Sequence, residues 1–132
     1  MVGDMDEKEL KQRTKQFALR IMKLAGALPK SMEARVIGSQ LVRCGTSVGA
    51  NYRAACRGRS RADFIAKLEI VEEEADESAL WMELIIESGL MERKLVEPLL
   101  QEANELTAIM AASRKSASAR PRSQIENRKS KI

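Results

Sequence analysis

The stretch Ser60–Ile86, SRADFIAKLEIVEEEADESALWMELII, decides the fold. Ser60 followed by Asp63 is a capping-box pattern: the hydroxyl accepts from a first-turn amide and the carboxylate reaches back. Phe64, Leu68, Val71, Ala75, Ser78, Met82 and Ile85 then recur at alternating spacings of four and three. That rhythm keeps one apolar stripe on a single helix face. At ~1.5 Å per residue the helix runs roughly 40 Å, the length of a bundle rod. A second apolar set, Ile70, Leu80, Trp81 and Leu84, lies off the stripe, beside an acidic run from Glu69 to Glu77. One stripe serves a helix inside its own bundle, and two predict a helix that also meets another subunit.

Working outward, 132 residues are enough for one domain with its own core. Aromatics at 3%, charged residues at 32% and only three prolines favour an all-α chain over a sandwich or barrel. No apolar run approaches the roughly 20 residues that cross a bilayer, so no membrane role is expected. The N-terminus, MVGDMDEKEL, is acidic and lacks the order of a signal peptide. Cys44 and Cys56 fall in one predicted helix, about 18 Å apart along it, too far to bridge. Two unbridged thiols point to a reducing, cytoplasmic setting.

Four helices are expected, over about 6–28, 32–57, 61–88 and 97–114, forming an antiparallel up-down-up-down bundle within residues 1–115. The first carries Leu10, Thr14, Phe17, Ile21, Leu24 and Leu28 on one face and ends at Pro29. Its other faces carry Lys8, Lys11, Arg13, Lys15, Arg20 and Lys23, which read as a solvated surface. Ser31 caps the second helix, whose stripe is Ile37, Leu41, Cys44, Val48, Asn51 or Tyr52, and Ala55. Gly38, Gly45 and Gly49 interrupt it, each costing about 1 kcal/mol relative to Ala. A small-residue groove that admits another helix would offset that cost; the alternative is a break at Gly45-Thr46. Gly89 ends the third helix, and Met91–Val96 is expected to form a separate short turn. Pro98 then fits as the first residue of the fourth helix. Leu99, Ala103, Leu106, Ile109 or Met110, and Ser113 carry its stripe. From Ser116 to Ile132 the chain is small, polar and basic, and disorder is expected.

The net charge of +4 divides unevenly. Residues 113–132 hold seven Lys/Arg against one Glu, a net +6, which leaves −2 on residues 1–112. The case for nucleic acid therefore has to be local. Gly45-Thr46-Ser47-Val48-Gly49 fits the nucleophile-elbow pattern G-x-S-x-G, but that motif needs a strand-to-helix turn and a histidine, and the chain has none. Two distant thiols without imidazole do not make a zinc site. The run Glu72, Glu73, Glu74, Asp76, Glu77 lacks the Glu-x-x-His pairs of di-iron carboxylate bundles. No catalytic, cofactor-binding or metal-binding residue is assigned, and no enzyme is read.

Between Ala34 and Ala62 there are six arginines and no acid. Hairpin arithmetic across the turn near Ser60 sets Arg43 opposite Asp76 and Glu77, where it is expected to pair. Arg53, Arg57 and Arg61, at spacings of four, are the least neutralised. The same arithmetic across Gly89 sets the acidic run against Gln101–Leu106, so the fourth helix is not expected to neutralise it.

From Arg43 to Ile85 the chain reads RCGTSVGANYRAACRGRSRADFIAKLEIVEEEADESALWMELI and resembles the bacterial four-helix-bundle family first named for proteins encoded in intervening sequences of 23S rRNA. SVGANYRAA and SRADFIAKL are the most specific parts, and the likeness covers roughly Leu10 to Arg114. Leu80 stands where the family tends to have an aromatic. The resemblance implies an antiparallel four-helix bundle assembling as a homopentameric ring. Some relatives are accessory proteins of diversity-generating retroelements that bind nucleic acid and a reverse transcriptase.

Two readings follow. In the first the chain is an oligomeric, sequence-nonspecific nucleic-acid-binding protein, RNA preferred. Its contacts would come from Arg53, Arg57, Arg59, Arg61, Arg114 and Lys115, with Arg120 and Arg122 of the tail. In the second it is a protein-interaction scaffold for a partner such as a reverse transcriptase. The expected subunit interface is Gly45, Gly49, Ile70, Leu80, Trp81 and Leu84. With one Tyr, one Trp and two Phe, base stacking is not expected to carry recognition.

Overall fold

The computed structural model describes residues 6–119, which are all-α: four helices and, among the described residues, no strand. They are α1 (Glu7–Gly26), α2 (Met32–Cys56), α3 (Arg61–Glu87) and α4 (Arg93–Ser118). Three starts are capped by the side chain just before them. Asp6 accepts from the Glu9 amide at 2.7 Å, Ser31 from Ala34 at 3.1 Å and Ser60 from Asp63 at 3.1 Å. Each satisfies one amide that the first helical turn leaves open. At the end of α3 the Leu90 amide donates to Ile85 and the Gly89 amide to Ile86. This is a Schellman ending, and Gly89 takes φ +78° to make it.

The four stripes meet in one core. Phe17 and Ile21 of α1, Leu41 and Val48 of α2, Leu68, Val71, Met82 and Ile85 of α3, and Leu106 and Met110 of α4 are all essentially out of water. Tyr52 is the buried member of the Asn51/Tyr52 alternative, while Asn51 donates locally to Ser47. Both Ile109 and Met110 are buried. Helix α2 runs unbroken through its glycines because α1 lies against them. A methyl group on Gly45 would stand 2.8 Å from both Cγ atoms of Ile21, and one on Gly49 would meet Thr14 at 3.5 Å. The pairs descend on α1 as they ascend on α2. Cys44 and Cys56 are both free thiols.

The fourth helix departs from expectation. It begins at Arg93, with no separate turn before it, and Pro98 lies inside it. Val96 is fully buried and continues the stripe of Leu99 and Ala103, so core packing draws the preceding turn into the helix. Pro98 withholds only the bond to the Lys94 carbonyl, and both residues are exposed, so water replaces the missing donor. At the other end α4 continues through Ser118, with Ala117 buried at 3% exposure. Residues 116–118 are thus helical where disorder was expected, and the rest of the expected tail lies outside the described residues. No described helix is long and apolar enough to cross a membrane.

Candidate nucleic-acid interface

The arginine stripe does not survive as one face. Helix α2 stops at Cys56 with Arg57 as its C-cap, and α3 starts at Arg61. Spacings of four stack side chains only along a single helix, so the turn between them sends Arg61 elsewhere. Its side chain is buried at 7% exposure, with the guanidinium 5.8 Å from the centroid of the Phe64 ring. It forms one wall of a pocket with Glu7, Tyr52, Cys56 and Phe64. Burial pushes the Cys56 thiol up to about 11, and the thiol beside Glu7, together with Lys11, holds that carboxyl below its ordinary value. Burial likewise raises Tyr52. The thiol and the phenol stay neutral and Glu7 adds a negative charge, so this is not a cationic face.

Arg53, Arg57 and Arg59 are exposed. Arg53 has company from α1, where Lys11 and Lys15 are more than the solvated surface that the sequence predicts. The three line a shallow cleft of about 220 Å³ with Ala18, Thr46, Gly49 and Ala50, and no carboxylate lines it. The juxtaposition follows from the close approach of α1 to α2 at Gly45 and Ile21, with Gly49 lying beside Thr14 one further step along. Lys11 also approaches Glu7 at 3.3 Å, but both side chains are well exposed, where such a pair is worth at most about 1 kcal/mol. The signal was present in the glycines: had they been assigned to α1, the register would have brought Lys11 and Lys15 to Arg53.

Of the other predicted contacts, Arg114 is already engaged. Arg114 donates to Glu72 at 2.8 Å, which takes it from the predicted set and corrects the claim that α4 leaves the acidic run alone. Glu72 thus meets Arg114, about two helical turns beyond the Gln101–Leu106 segment that the hairpin arithmetic set opposite the acidic run. Glu102 and Glu105 belong instead to Arg13 of α1, with Nε–Oε2 at 2.7 Å and Nη2–Oε1 of Glu105 at 2.8 Å. Arg43 pairs with Glu74 at 3.2 Å and with Glu77. Lys115 is exposed. Arg120 and Arg122 lie outside the described residues.

The predicted interface set divides too. Gly45 and Gly49 face α1 of the same chain, so the groove is filled from within. Trp81 is half-buried against the core, and its indole N–H donates to Glu77 at 3.0 Å. Ile70, Leu80 and Leu84 remain exposed, at 38%, 48% and 38%. Among the described residues no three His, Cys, Asp or Glu side chains group as metal ligands do.

A family profile described as 23S rRNA-intervening sequence protein matches residues 6–112. A crystal structure from Bacteroides thetaiotaomicron, described as a protein with unknown function from the S23 ribosomal protein family, is similar at 35% identity and a TM-score of 0.76. The match covers 83% of this chain and 97% of that one. No curated protein matches.

Proposed function

Because the chain belongs to the 23S rRNA-intervening sequence protein family, we propose that it is a non-enzymatic, sequence-nonspecific nucleic-acid-binding protein with a preference for RNA. The observation that carries this reading is the cleft shared by Lys11, Lys15 and Arg53, three cations from two helices with no carboxylate in its lining. Arg57 and Arg59 extend the positive surface toward the α2–α3 turn. Ammonium and guanidinium groups displace counterions from phosphates, so affinity falls steeply with salt. The scarcity of aromatic side chains leaves base readout little part.

In the same proposal the helices form an antiparallel up-down-up-down bundle, copies gather in a ring that repeats the basic cleft, and the protein works in the cytoplasm. The descending–ascending pairs between α1 and α2 support the topology. The exposed Ile70, Leu80 and Leu84 support assembly, and the two free thiols fit a reducing compartment.

A mobility-shift titration with structured RNA across salt concentrations tests the reading. Lys15→Glu with Arg53→Glu should weaken binding at least tenfold and flatten the logarithmic salt dependence by about two phosphate contacts. Wild-type affinity and slope in that variant would remove the basis of the proposal. The second reading, a scaffold for another protein, is favoured by Leu19, Met22, Met32, Val36 and Leu95, all more than half exposed. It becomes the better account if the charge-reversed variant binds RNA unchanged.

A further inference from the structure

Two unlike surfaces on one chain match each other. The first is a groove of about 640 Å³ where the end of α1 meets the start of α4, floored by Leu24, Leu90, Leu95 and Leu99 and rimmed on one side by Arg20 and Lys23. Leu95 is 58% exposed there, and neither rim cation makes an ion pair among the described residues. No carboxylate lines the groove. The second surface is the outer stripe of α3. Ile70, Glu73, Glu77, Leu80, Leu84 and Glu87 recur at alternating spacings of three and four and so share one face. Glu73, Glu83 and Glu87 are exposed and make no ion pair among the described residues. The stripe is apolar flanked by carboxylates, and the groove is apolar flanked by cations.

We propose that the α3 stripe of a second copy fills the groove, with Leu80 and Leu84 entering beside Leu95 while Glu83 and Glu87 face Lys23 and Arg20. Both charge pairs repeat at about one helical turn, so the two rows can be matched without distorting either helix. The fit is between different patches, not of one patch with itself. Such a contact is heterologous, and it closes into a ring when the rotation between copies closes. The inference rests on the ring reading above and names the two faces that build it. It is independent of the Lys11/Lys15/Arg53 cleft.

The test uses two variants of the full chain. Leu80→Asp with Leu84→Asp removes the stripe, and Lys23→Glu with Leu95→Asp removes the groove. Every substituted side chain is at least partly exposed, and circular dichroism at wild-type helicity checks that each variant folds. By light scattering at micromolar concentration, each alone should have the mass of one chain. Mixed in equal amounts they should form a two-chain complex and stop there, because one sound groove and one sound stripe remain. A mixture that stays at one-chain mass overturns the pairing, as does either variant keeping the wild-type mass. If wild type itself has the mass of one chain, the ring reading falls with it. RNA binding by the separated chains reads the cleft separately.

Discussion

Gly45 of α2 lies over Ile21 of α1 so closely that a methyl group in its place would stand 2.8 Å from both Cγ atoms and 3.1 Å from Cβ. Ile21 is fully buried and β-branched, so it has no free rotamer with which to yield. The contact joins a local cost to a tertiary gain. Glycine inside a helix is unfavourable, and here it permits the close approach that aligns α1 with α2.

Gly45→Ala should therefore destabilise the protein, although alanine is the better helix former. The intrinsic gain of about 1 kcal/mol is outweighed by overpacking of about 1–3 kcal/mol. Denaturant unfolding should give a net loss of up to about 2 kcal/mol in the wild-type background and a smaller loss when Ile21→Ala is also present. A stabilised single variant would contradict the close approach.

Arg53 and Arg61 should separate cleanly. Arg53→Glu is expected to weaken RNA binding and reduce its salt dependence while leaving the thermal midpoint within a degree or two. Arg61→Ala should do the reverse. It loses buried packing and a cation–π contact worth about 0.5–1 kcal/mol, lowering stability while the folded chain keeps its salt slope. Equal effects of the two on binding would restore the single arginine stripe.

Arg13 is the clasp between α1 and α4. It reaches both oxygens of Glu102 at 2.7 Å and also Glu105, and the pair is mostly shielded from water. The Glu102 contact raises the guanidinium above its already high ordinary value. Arg13→Ala should cost about 1.5–3 kcal/mol, the range for charge-assisted hydrogen bonds. Arg13→Lys should recover only part of it, since an ammonium cannot match the two-pronged geometry. Hydrogen exchange should speed up first in α1 and the middle of α4.

Glu77 predicts a pH response. The indole N–H of Trp81 and, after it, Arg43 hold its carboxyl below the ordinary value of 4.5. A folded-state value below the unfolded one means that the contribution to stability is complete above about 4.5 and is lost as pH falls through the depressed value. The fluorescence of Trp81, the only tryptophan, should change in that acid range while the helices are still folded. Glu77→Gln should abolish that step; its persistence would mean that another group is being read.

The capping residues and the α3 stripe were legible in the sequence because both are local: a hydroxyl three residues before an amide, and a rhythm of three and four. Ser31, Ser60 and the Phe64–Ile85 stripe required no neighbour to be recognised. Pro98 was misplaced because its local preference for a first turn lost to burial of Val96. The expected arginine stripe failed at a boundary of a few residues, since the turn after Cys56 rotates Arg61 away from Arg53. Lys11 and Lys15 were visible as cations but could not be joined to Arg53 until the helix that the glycines face was known.

By itself, then, the order of residues determined the helical class, the capped starts, the apolar faces and the family, all of which depend on interactions within a few positions along the chain. Which helix lies in the glycine groove, which carboxylate takes Arg13 or Arg114, and which cations are left facing solvent were decided only in three dimensions. Those choices turn on the register between helices far apart in sequence, where a shift of one turn exchanges one partner for another.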